Sequence, residues 1–238
     1  LETTLSNICT RHGFPDKDEF KWSPGRELWM RDSLVGEDRA NFFRDVVSAG
    51  AQHGAIAIFV AEDQNTSTAT GHISAERDAI VLLLERVDNE LRRRGTRGLI
   101  IADRPPGNRT HEDEFLVSCL ENLQTGTDFV KYDRIALNVL STPSKLIRCL
   151  QFADLVTACT LARVAGEAQH APAIFNEIAT LFARNGNRAG GCGIKLHPDF
   201  KYANLYHWLL GDSHYWRINV GAPMPLPDRP YNQGEWMP

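Results

Sequence analysis

The chain has 238 residues, 42% of them apolar and 24% charged, which suits one fairly large domain able to bury a sizeable core. A formal net charge of −4 excludes a protein that coats nucleic acid nonspecifically over its whole surface, though not an acidic metal site beside a local basic groove. No apolar run approaches the ~18 residues of a membrane span, and Leu1-Glu2-Thr3-Thr4 shows neither the basic nor the apolar part of a signal peptide.

In chain order, residues 1–11 read as a helix that stops at Gly13-Phe14-Pro15, and Pro24-Gly25 marks a turn. Residues 37–50 read as a helix with Phe42, Phe43, Val46 and Val47 on its inner face. The apolar run 55–61 reads as a buried strand, and a polar loop follows. Residues 75–94 carry Ile80, Leu83, Leu84, Val87 and Leu91 at helical spacing. Residues 98–103 read as a second buried strand ending in an acid, and 104–109 as a Pro/Gly turn. A helix over 111–123, a third strand over 135–140, a turn over 141–144 and a long apolar helix over 146–165 come next. Residues 172–184 read as a further helix, 185–193 as a Gly-rich loop and 202–210 as a short aromatic helix. The first 211 residues make one domain, and the Pro-rich remainder, 212–238, an extended tail for the surface or a protein partner. Strands alternating with helices give the α/β class. Three strands are few for so many helices, so further strands are expected upstream of Leu1.

Five cysteines at wide spacing, odd in number and without a CxxC pair, point to the cytoplasm and away from a zinc site. Arg92-Arg93-Arg94 with Arg97 is the densest basic cluster, and its simplest role is positive charge at a helix C-terminus before Gly95. Tyr202, Tyr206, Trp208, Tyr215 and Trp216 suit anchoring of the tail, and His197 and His207 suit packing or surface positions.

Three acids carry the chemistry. Asp154 interrupts the apolar run Leu150-Gln151-Phe152-Ala153-Asp154-Leu155-Val156, and an ionised Asp there needs a partner or a cation. Gln151 shares its helix face. Asp103 ends a strand, where α/β sheets place their ligands. Glu19 lies in Asp18-Glu19-Phe20-Lys21-Trp22-Ser23. Taken singly, each also fits a plainer role: a turn Asp, an Asp at a helix N-terminus, a solvated turn. Brought together by the fold, they would bind Mg²⁺ or Mn²⁺ through oxygen and serve phosphodiester hydrolysis without a covalent nucleophile. The chain has no GxSxG, HExxH or GxxxxGK[ST] motif.

Glu19-Phe20-Lys21-Trp22-Ser23, Ile100-Ile101-Ala102-Asp103-Arg104 and Leu150-Gln151-Phe152-Ala153-Asp154-Leu155, in this order, resemble the domain-of-unknown-function family numbered 3800 of bacteria and phages. That family is similar to the ribonuclease H-like fold. The resemblance, over roughly residues 1 to 165, implies a mixed sheet flanked by helices, here with a helical C-terminal extension. It implies Glu19, Asp103 and Asp154 as metal ligands, Gln151 as a support for Asp154, and Lys21 as a phosphate contact. The family opens with a strand ending in an Asp-Glu-Ser-Gly type motif that bears the first acid. This chain has no such motif, so the implied site is one ligand short. Two functions follow as expectations: a metal-dependent nuclease, or a non-catalytic module that binds nucleic acid or a protein, for instance in phage–host conflict.

Overall fold

A computed structural model of the chain describes residues 1–16, 18–63, 75–197 and 203–210. Helices α1 (Glu2–Arg11), α2 (Met30–Ser33) and α3 (Gly36–Gln52) come first. Strand β1 (Phe59–Glu62), helix α4 (Ala75–Arg93) and strand β2 (Ile101–Asp103) follow. Helix α5 (Arg109–Thr125) leads to β3 (Leu140–Thr142), a single 3₁₀ turn (Ser144–Leu146) and the central helix α6 (Arg148–Val164). Helix α7 (Ala171–Ile178), strand β4 (Ile194–His197) and helix α8 (Ala203–Leu210) complete the described elements. The expected tail over 212–238 lies outside the described residues, as does the polar loop expected over 62–71 except for Glu62, which ends β1, and Asp63. No helix among the described residues is long and apolar enough to cross a membrane.

The α/β class expected from the sequence is the class observed. Among the described residues the named strands form two parallel pairs instead of one mixed sheet. Phe59 stands opposite Ile194 in β1–β4, and Ile101 opposite Leu140 in β2–β3. Parallel partners need a crossover of a dozen or more residues, and α5 supplies it between β2 and β3.

Four expectations need correction. The second strand is shorter than 98–103 and is not buried, with Ile101 of β2 48% exposed. The third strand does not run over 135–140, because Leu137 takes a left-handed conformation at φ 62° that breaks the extended run. The strand starts at Leu140 instead. Helix α7 stops at Ile178, well before residue 184. Beyond it, Ala57 N–H donates to Leu181 O (2.8 Å) and Ala183 N–H to Ala57 O (3.0 Å), so ladder bonds displace the helical ones. Strand β4 forms where no element was expected.

The main core joins α1, α3, α6 and α7 to β1 and β4, with Phe42, Val46, Leu155, Cys159, Ile178 and Ile194 fully buried. Gly50 lets α3 approach α6: a Cβ there would stand 2.5 Å from the Phe152 ring. A smaller cluster of Leu84, Tyr132 and Ile135 packs α4 on Ile100 beside β2. Within it the buried Asp88 accepts from Arg134 N–H (2.9 Å) and from Arg92 (3.1 Å). Arg92 also reaches Asp133, and Arg93 and Arg94 share Glu90. The basic cluster at the end of α4 thus has the structural role read from the sequence, with Arg97 outside these pairs.

Candidate functional site

The site is assembled around the first two turns of α6. Nothing in the sequence of this helix caps its own N-terminus, since Ile147 precedes it and has no side-chain acceptor. Glu2, at the start of α1, does the capping. Its carboxylate accepts from Arg148 N–H at 2.7 Å and Cys149 N–H at 2.8 Å, satisfying two orphan donors at the positive end of the helix dipole. Burial pushes the Glu2 carboxyl up, and those two bonds outweigh it and hold the group below its ordinary value.

Gln151 is 1% exposed and ties three segments together. Its Oε1 accepts from Phe20 N–H (3.3 Å) and Arg148 Nη1 (2.8 Å), and its Nε2 donates to Ser144 O (3.0 Å). Phe20 is fully buried against Phe42, so its neighbours Glu19 and Lys21 are directed away from the core. Arg148 Nη1 also donates to Asp18 O (2.6 Å), and Asp18 Oδ2 accepts from Trp29 N–H (3.0 Å), which fixes the start of this extended segment. Ser144, on the other side of Gln151, donates its N–H to Asp103 Oδ1 (2.8 Å), and Arg104 N–H donates to the same oxygen (2.9 Å).

The structure therefore brings all five sequence-predicted residues into one neighbourhood. Asp103 has both backbone bonds on Oδ1, and its Oδ2 accepts none from a described residue. Asp154, one turn beyond Gln151, makes no hydrogen bond or ion pair with a described residue. Although Asp154 opens to solvent on one side, burial of its carboxyl pushes its pKa up. Lys21 opposes that rise and the Asp103 charge adds to it. Glu19 Oε2 lies 3.7 Å from Lys21 Nζ. Lys21 is thus the ion-pair partner of Glu19 and lies near enough to Asp154 to favour its charged form.

Gln151 does not hold Asp154 through a hydrogen bond. It fixes the two segments, 18–21 and 144–146, that flank it. Among the described residues no group of three or more His, Cys, Asp and Glu side chains is close enough to hold a metal ion. What the arrangement offers is two carboxylates with oxygens that accept nothing from a described residue, Oδ2 of Asp103 and both of Asp154, beside one lysine. Sequence reasoning missed Glu2, Ser144 and Arg148. Each of their contacts that joins remote segments has a backbone atom on one side, which no side-chain pattern signals.

Comparison with protein-family models, with curated proteins and with solved structures gives no match.

Proposed function

We propose that Asp103 and Asp154 form the oxygen-donor pair of a divalent-cation site and that the protein is a metal-dependent phosphodiester hydrolase, a nuclease of the ribonuclease H-like type. The observation that supports this reading most is the pair itself. Two like charges, remote in sequence, lie close enough for Asp103 to raise the Asp154 pKa, and neither Asp154 nor Asp103 Oδ2 has a hydrogen-bonding partner among the described residues. Such a juxtaposition is unfavourable until a proton or a cation joins it. Hard carboxylate oxygens fit Mg²⁺ or Mn²⁺. Glu19 would be a further donor once Lys21 turns to a phosphate oxygen of the substrate. A bound cation supplies positive charge to a phosphodiester oxygen and lowers the pKa of water. The chain's own part is to hold Asp103 through Ser144 and Arg104, to hold the Glu19–Lys21 segment through Gln151, and to neutralise phosphate with Lys21.

The ordered motifs around Glu19, Asp103 and Asp154 support the resemblance to domain family 3800. Five free cysteines support the cytoplasm as the compartment, and the Pro-rich tail suits a protein partner. A second reading, a non-catalytic module binding nucleic acid or protein, is favoured by one observation: no three candidate ligands converge among the described residues.

The test is cleavage of labelled single- and double-stranded DNA and RNA with Mg²⁺, Mn²⁺ or EDTA, by the wild type and by Asp103→Asn and Asp154→Asn. Metal-dependent cutting that falls at least about a hundredfold in each variant is expected, given the weight of electrostatic groups in catalysis. Folded protein that cuts nothing under any condition selects the binding module.

A further inference from the structure

The last turns of α4 and the loop before β4 enclose a cleft of ≈ 420 Å³ that the carboxylate pair does not use. Arg86, Asn89 and Arg93 line it from the helix, and Arg184, Asn185 and Cys192 from the loop. Glu90 is the one acid among the lining residues. Three guanidiniums and one carboxylate line it, and Glu85, outside the lining, stands 3.4 Å from Arg86 Nη1, which still leaves an excess of positive charge on a chain of net charge −4.

The arginines are held in place with donors to spare. Arg184 is fixed by the carbonyls of Asn187 (3.0 Å) and Ala179 (3.1 Å). Arg93 grips Glu90 through Nε (2.9 Å) and Nη2 (2.7 Å), which leaves Nη1 over. Arg86 spends Nη1 on Leu82 O (2.9 Å), while its Nε is buried without a hydrogen-bond partner. A buried guanidinium N–H without an acceptor is rare in folded proteins and calls for one.

We propose that this cleft binds a phosphate group, with Arg86, Arg93 and Arg184 as its ligands. A guanidinium presents paired N–H groups that match two phosphate oxygens, and three of them around one opening favour a multiply charged anion over a carboxylate. The Asn89 and Asn185 amides add neutral donors at the rim. A free phosphate and the phosphate of a nucleic-acid strand share this chemistry. The cleft stands apart from the metal reading, because none of its residues belongs to the carboxylate pair.

Cys192 reports on occupancy. Cys9, Cys119 and Cys159 are buried, and burial and the Glu2 carboxylate push the Cys149 thiol up to about 11. Cys192 is therefore the thiol expected to react first with iodoacetamide. Its rate would be followed by mass spectrometry in the intact protein, with inorganic phosphate, with a short oligonucleotide, and with chloride at equal ionic strength. A severalfold slowing by phosphate or by the oligonucleotide, relative to chloride, is expected. Protection by phosphate alone marks a site for a free anion, and stronger protection by the oligonucleotide marks a strand contact. Arg86→Gln should remove the protection, and Arg97→Gln, outside the cleft, should keep it. Equal rates in all three solutions would overturn the proposal, whatever the result of the cleavage assay and whether or not the variants fold.

Discussion

At the scale of the residue, Gln151 and Asp154 stand in opposite situations one helical turn apart. The Gln151 amide enters the core with three hydrogen bonds made, whereas the partly desolvated Asp154 carboxyl makes none with a described residue. An acid whose folded pKa exceeds its unfolded value binds more protons when folded. Its stabilising effect is present as pH falls through the folded pKa and is lost as pH rises. At neutral pH Asp154 is ionised and the fold carries the penalty. Asp154→Asn is therefore expected to raise the thermal midpoint in metal-free buffer at pH 7 by about 1–2 °C, the small size reflecting solvent screening of a half-open group. Excess Mn²⁺ should reverse the order, stabilising the wild type and leaving the variant unmoved. Differential scanning calorimetry with and without Mn²⁺ checks both parts. The Asp within an apolar helical run was legible in the sequence because helical spacing gives it no charged neighbour, only Gln151 and Thr157 among polar side chains. The work of Gln151 was not legible, since its partners are backbone atoms of Phe20 and Ser144, more than a hundred residues apart from each other.

Among the elements, α6 decides where the site stands, and α1 decides how α6 begins. Glu2 satisfies two N–H groups of α6 that its own sequence leaves open. Loss of such a cap costs about 1 kcal/mol. Glu2→Ala should lower the urea midpoint at pH 7 accordingly. Because the folded Glu2 pKa lies below its ordinary value, this contribution is present above the unfolded pKa and disappears as pH falls through the folded one. Wild type and variant should thus converge in stability in acid, and denaturation curves at neutral and acidic pH read the difference. Helices α3, α4 and α6 were legible to within two residues at most ends, because each has an apolar face at helical spacing. The strands were less so. Strand β4 is short, and Lys195 and His197 interrupt its apolar positions. The third strand was displaced by a kink at Leu137 that no residue-level preference foretells, since Leu rarely adopts positive φ.

For the whole molecule, the two clusters of buried side chains differ greatly in size. The main core gathers four helices and the β1–β4 pair, while α4, Tyr132 and Ile135 share a small one beside β2. Regions with few buried contacts open locally at lower free energy. Amides of α4 and β2 should therefore exchange hydrogen faster than those of α3 and α6. Asp103 belongs to the smaller unit and Asp154 to the larger, so a cation bridging them should slow exchange in β2 and the 3₁₀ turn after β3. The α/β class was legible from the alternation of strands and helices, but the division into two parallel pairs depends on contacts between remote segments. The placement of Asp103 near Asp154, and of the Glu19–Lys21 segment against Gln151, likewise depends on contacts between remote segments. The most direct measurement is a Mn²⁺ titration followed by electron paramagnetic resonance, on the wild type, Asp103→Asn and Asp154→Asn. The expected result is loss of the free-ion signal in the wild type, with each substitution weakening binding at least about tenfold, the equivalent of ~1.4 kcal/mol. Wild-type protein that takes up no Mn²⁺, or variants that bind it as tightly, would contradict the assignment of Asp103 and Asp154 as a cation site.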